Sequence, residues 1–261
     1  MERNTAKRTL EKLLSVCICL CMLGAMLPAQ VFAEEADTAQ TETVQDTAPK
    51  DTVYLSSADD LIQLAKNCRL DSWSQNRTVV LEADIDLSSV DFNGIPSFGG
   101  TWEGQNHAIT GLSLSQDGSV QGLFRYVQQG ALVRDMTVKG RIKPGGTRAS
   151  VGGIAGSNAG TIENCAFDGV VSGTSQIGGI AGVNTVKGSI NGCTVSGTVY
   201  GSHFVGGVVG QNDGVAANCT NAASVNTTVS QNEVKLNDLT LDDLLKTEKA
   251  NDVTDAGGIA G

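Results

Sequence analysis

Between residues 150 and 226 the apolar and polar positions repeat at a long, fixed interval. GGIAG starts at Gly152 and again at Gly178, GGVVG at Gly206 and GGIAG at Gly257, giving spacings of 26, 28 and 51 residues. The last spacing is about two units with one start obscured. A period in this range marks a solenoid or propeller and takes precedence over any domain-scale reading. The rest of the unit repeats in register. An asparagine follows each motif (Asn158, Asn184, Asn212), then a glycine (Gly160, Gly188, Gly214), an apolar position (Ile162, Ile190, Ala216) and a cysteine (Cys165, Cys193, Cys219). Valine stands six residues further on, at Val171, Val199 and Val225. Within a unit Cys193, Val195, Gly197, Val199 and Gly201 alternate with polar residues, which predicts strands with these five on the inward face. No helix of ten residues fits between motifs, and propeller blades need about 40 to 50 residues each. The expected fold is all-β, a right-handed parallel β-helix whose successive coils lie about 4.8 Å apart.

The same pattern extends backward in weaker form. Met136, Val138, Gly140 and Ile142 match Cys165, Phe167, Gly169 and Val171, and Ile109, Leu112 and Leu114 read as the strand one coil earlier. Ser57 followed by Leu61, Leu64, Ala65 and Cys68 predicts an N-capped helix of about three turns, a short N-terminal cap, and Val79 to Leu87 reads as a first strand. In the ladders this implies, Ile154, Ile180 and Val208 stack as one apolar row. Asn158, Asn184 and Asn212 stack at a turn, and the glycines supply positive φ and close backbone approach at corners.

Mapping the glycines bounds the solenoid. Of 32, 28 fall between Gly94 and Gly214, and none lies in 25–93 or 215–256. The gap from about 230 to 252 carries Leu239, Leu241, Leu244 and Leu245 among Asp238, Asp242, Asp243 and Lys246, and is expected to be a small helical insertion. The organisation read from the sequence is therefore 1–33 a signal peptide, 34–50 a disordered acidic linker, 51–101 a cap helix with first strands, and 102–261 the repeats. The closing GGIAG opens a coil left incomplete, so a C-terminal truncation is expected.

Charge and cysteine content refine the address. Arg3, Lys7, Arg8 and Lys12 precede the apolar run Leu13 to Met26, and Val31, Phe32 and Ala33 fit a cleavage site after Ala33. The preceding residues Val16, Ile18 and Leu20 argue against lipidation of Cys17, Cys19 or Cys21. Cleavage removes four basic and two acidic residues from 18 and 28, leaving 14 against 26 and a net charge of −12. Nucleic acid and anionic membrane surfaces are then poor partners. Four cysteines remain, Cys68, Cys165, Cys193 and Cys219. Three stand one per coil, where an odd stack cannot pair completely and parallel neighbours give poor disulfide dihedrals, so free buried thiols are expected.

The runs GTWEGQNHAITGLSL, GLFRYV, VGGIAGSNAGTIENC and IGGIAGVN resemble the GLUG-repeat proteins, exported bacterial β-helices of the pectin-lyase-like type. The resemblance covers roughly residues 52 to 261, with departures at Trp102, Glu103 and Gln105, where Phe, Asp and Asn are commoner. Such repeats also occur in zinc metallopeptidases that cleave immunoglobulin A, which implies nothing directly about activity in this chain.

Searching for chemistry gives little. His107 and His203 do not form a His-Glu-x-x-His site, and nucleophile-elbow and phosphate-loop motifs are absent from the sequence. The calcium repeat Gly-Gly-x-Gly-x-Asp is missing as well. Asp168 has Ser196 and Ala222 as counterparts in neighbouring repeats, and Glu163 has Asn191 and Ala217, so neither belongs to a carboxylate ladder. Trp73 and Trp102 read as cap or core residues. The expectation is a secreted or cell-surface structural, adhesion or interaction module that is not an enzyme, with no catalytic, cofactor or metal site. Its partner would be an unidentified host or cell-surface protein or glycan. Two alternatives are the N-terminal scaffold of a larger surface hydrolase of the zinc metallopeptidase type, and a carbohydrate-active β-helix in its own right.

Overall fold

A computed structural model describes residues 50–146, 148–226 and 255–261. The insertion expected at about residues 230–252, and the signal peptide and most of the linker expected before residue 50, lie outside the described residues. What is described is a parallel β-solenoid with four strands per full coil. One such coil runs through Ala149–Gly152, Ala155–Asn158, Thr161–Glu163 and Ala166–Ser172. The next repeats it as Ser175–Gly178, Ala181–Asn184, Ser189–Asn191 and Thr194–Tyr200. Like strands stack into four sheets of seven, four, five and seven members, all paired in parallel.

The pairing follows the repeat in the sequence. Gly152 pairs with Gly178, Asn158 with Asn184, Ile162 with Ile190 and Val171 with Val199. The weaker upstream matches are real too, since Val138 pairs with Phe167 and Ile142 with Val171. Ile162, Val171, Ile190 and Val199 turn inward from strands and Ile154, Ile180 and Val208 from the corners between them, each fully buried. Burial of each such side chain contributes about 1.5–3 kcal/mol, which a one-dimensional stack accumulates coil by coil.

The helix α1 (Ala58–Asn67) begins at Ser57, whose hydroxyl accepts from the Asp60 amide while the Asp60 carboxylate accepts from the Ser57 amide. Its buried face, Leu61 and Leu64, packs against the strand Ile95–Phe98, the outermost member of the five-stranded sheet. Here the helix covers an unpaired strand edge, the usual remedy for an aggregation-prone margin. The first strand of the sequence reading is split. Arg77–Leu81 and Ile85–Asp86 belong to different sheets, so the Val79 to Leu87 segment turns a corner.

Two expectations about glycine change. In the Gly-Gly motifs the glycines serve close approach. A Cβ on Gly153 would sit 2.2 Å from the Gly179 carbonyl oxygen, and one on Gly179 2.4 Å from that of Gly207. Positive φ at the repeated corners falls largely on other residues, in two rows: Asp135, Asn164 and Asn218, with Gly192 as the one glycine, before Met136 and the cysteines, and Ser150, Gln176 and Phe204, two residues before each glycine pair. Aspartate and asparagine tolerate that conformation through local side-chain bonding. Gly197 was expected to face inward but is exposed, with φ +97°, where the strand kinks between the buried Val195 and Val199.

Candidate functional site

The most regular polar feature is internal. Asn158 Nδ2 donates to Asn184 Oδ1 at 2.8 Å, and Asn184 Nδ2 donates to Asn212 Oδ1 at 2.8 Å. Asn158 Oδ1 accepts from the Gly160 amide, and both buried asparagines also donate to carbonyls of the next coil, at Ser189 and Val215. Asn158 and Asn184 are wholly buried. A buried amide needs every partner satisfied, and here the neighbouring coil supplies them, so the ladder fixes register and leaves no atoms for a ligand.

The cysteines form a second internal row and are free thiols. Burial pushes the Cys165 thiol up to about 12 and the Cys68 thiol up to about 11. Cys193 is raised by its hydrogen bond to Cys219 and by burial, whereas the half-buried Cys219 is lowered by the same bond. The Cys219 Sγ lies 3.2 Å from the Ala217 carbonyl oxygen. The inner members of the row are therefore protonated and act as small apolar side chains.

On the outside, each carboxylate singled out in the sequence is engaged along its own ladder. Asp168 accepts from Ser196 Oγ at 3.0 Å, beside Lys139 in the preceding coil. Glu163 accepts from Asn191 Nδ2 at 3.3 Å, next to Arg134, which makes a two-pronged pair with Glu103 at 2.7 and 2.8 Å. Asp168 and Glu163 lie on strands of different sheets. His107 Nδ1 contacts Asp84 at 3.0 Å and His203 lies 3.9 Å from Asp255, so the two histidines are in separate places. Trp102 is fully buried, edge-on to Phe98 and Phe124, while Trp73 stacks under the Arg77 guanidinium at 4.4 Å. Among the described residues no group of three or more His, Cys, Asp or Glu is placed to hold a metal ion.

The surface hollows were not visible in the sequence. One, of about 280 Å³, lies between α1 and the segment leading to Ile95, with Lys66, Arg69, Asp91 and Arg125 among its walls. It shares Pro96 and Arg125 with an open groove of about 800 Å³ lined by Asp71, Gln75, Tyr126 and Gln128. These residues come from three segments, about 20 to 60 positions apart, and no local motif links them. Concentration of cations in an acidic chain is the one signal that could have drawn attention to them.

Comparison with known proteins bears mostly on architecture. Residues 147–172 match the family described as the GLUG motif. Halomucin of Haloquadratum walsbyi is 29% identical over 128 residues, 42% of this chain but 1% of its own length. A crystal structure from Bacteroides ovatus, provisionally described as an immunoglobulin A1 protease, is 20% identical with a TM-score of 0.48 and covers 66% of each chain. The chain thus spans a minute part of the first relative and just under two thirds of the second. Residues 149–172 of the matched segment form one full coil, continued in register on both sides, so the described residues are a β-solenoid that carries the GLUG motif.

Proposed function

We propose that this chain is an exported β-solenoid that serves as a structural or interaction module at a cell surface or in the secreted space, and that this segment performs no reaction. The observation that carries the reading is the disposition of the outward polar groups. Asp168, Glu163 and Asn191 bond along their own ladders, whereas a sugar-cleaving site needs two carboxylates facing one bond about 5–10 Å apart. The charged start, apolar run and small-residue cleavage site of residues 1–33 support export, and no helix of the described residues is long and apolar enough to cross a membrane. Likeness to halomucin, a mucin by name, agrees with a surface placement.

The test is to express the full chain in a bacterial host, sequence the N-terminus of the exported protein and incubate it with a panel of polysaccharides. The expected N-terminus is Glu34, with no products released. An uncleaved chain retained in the membrane would overturn the export reading. Release of products that Asp168→Asn abolishes would make the segment an enzyme.

A further inference from the structure

We propose that the hollow beside the C-terminal end of α1, together with the groove it opens into, binds a sulfated glycan chain. The proposal rests on the reading of the chain as an exported interaction module and names the ligand class.

Charge is the first argument. After cleavage the chain has 14 cationic residues against 26 acidic ones, yet Lys66, Arg69 and Arg125 converge on one small hollow with Asp91 as the single acidic wall. The ion pairs of the described residues involve His107, Arg134 and His203, so among the described residues none of these three cations has a carboxylate within pairing distance. Lys66 lies in the last turn of α1 and Arg69 just past it, where cations complement the helix dipole. That dipole amounts to about half a charge, so three cations exceed what it needs.

Geometry gives the second argument. Arg125 comes from the strand Phe124–Val127, opposite the helix, and is held in place. Its Nε donates to the Val120 carbonyl at 3.1 Å and an Nη to that of Ser119 at 3.3 Å. Three separate donors arriving from two elements suit a tetrahedral group with three terminal oxygens better than a planar carboxylate, which prefers a single two-pronged partner. A hollow of about 280 Å³ accepts one such group.

The third argument is the adjoining groove, whose size is in the ordinary range for ligand sites. Tyr126 follows Arg125 directly and is 47% exposed, presenting an aromatic body and a polar tip. Beside it Gln128 is fixed, donating to the Asp71 carbonyl at 2.7 Å and Ser97 Oγ at 2.8 Å and accepting from Gln75 at 3.0 Å. An anion pocket that opens onto a rigid aromatic and amide surface matches a chain of sugars bearing sulfate: the sulfate enters the hollow and a ring lies against Tyr126.

The full chain is titrated with a heparin-type octasaccharide and its chemically desulfated counterpart, at low and at raised salt. Binding of the sulfated probe is expected, weakening about tenfold as salt rises through the range that screens exposed charges. The desulfated probe should not bind. Lys66→Ala with Arg69→Ala should lower affinity about tenfold and flatten the salt dependence. Tyr126→Ala should lower it about fivefold with the salt dependence retained. All three side chains are exposed, and an unchanged urea midpoint verifies that each variant is folded. Failure of the sulfated probe to bind, equal binding of the desulfated one, or unaltered binding by the folded variants would each overturn the site. A Glu34 N-terminus without glycan binding removes the site alone, whereas binding by a chain that is not exported removes the module reading.

Discussion

Single residues set the register of this molecule. Asn184 is the clearest case, because its side chain accepts from Asn158 and donates to Asn212 and to two carbonyls. Asn184→Ala leaves a buried amide and at least one carbonyl unpartnered, which should cost about 2–4 kcal/mol in urea unfolding. The ladder was readable from the sequence because each asparagine keeps its distance from the preceding glycine motif. The thiol row was readable for the same reason, but its chemistry depends on burial. Cys165 stays protonated in the folded chain up to about 12, while in the unfolded chain it ionises near 9. The unfolded state therefore loses this proton first as pH rises. The Cys165 contribution is complete below pH ~9 and falls by about 1.4 kcal/mol per pH unit from there until the folded thiol titrates. Urea midpoints measured between about pH 8 and 11 should show this slope, and Cys165→Ala should lessen it by that amount. The glycines were only half readable: their spacing marked the coils, but whether a glycine answers to φ or to a neighbour's backbone depends on the adjacent coil. At Gly153 the neighbour decides.

Among the elements, α1 was the most legible, because an N-cap, an acidic first turn and an apolar stripe are all local. Ser57→Ala removes half of the reciprocal cap and should cost about 1 kcal/mol, seen as faster amide exchange at Leu61 and Leu64 with the distant strand Ala166–Ser172 unchanged. The cap also carries a pH signature. Hydrogen bonds from Ser57 and Ser56 hold the Asp60 carboxyl below its ordinary value, so its contribution is present above the carboxylate range and is lost as pH falls through it. The protection factor at Leu61, taken against the intrinsic exchange rate at each pH, should accordingly fall in acid in the parent chain, and less so in the Ser57→Ala variant. Strands were less legible than the helix at their ends. Val79 to Leu87 alternates well enough for one strand, but a corner interrupts it, because a solenoid strand ends where the core cross-section ends. The kink at Gly197 likewise breaks a pattern that reads as continuous alternation.

At the scale of the whole molecule, stacking converts a repeat into a continuous core and four outer faces. The sequence by itself determined the parallel solenoid, its coil length and the partners within each ladder. Parallel in-register stacking brings each residue against its own equivalent, and equivalence is a property of spacing. Only the tertiary structure decided what meets across unlike segments. The four-sided cross-section, the row of positive φ on Ser150, Gln176 and Phe204, and the seat of α1 on the outermost strand all depend on how corners close in space. The same holds for Lys66 and Arg69 facing Arg125 across a hollow. These residues share no period and sit on different elements, and a contact between positions some 60 residues apart exists only once the chain has wound past itself.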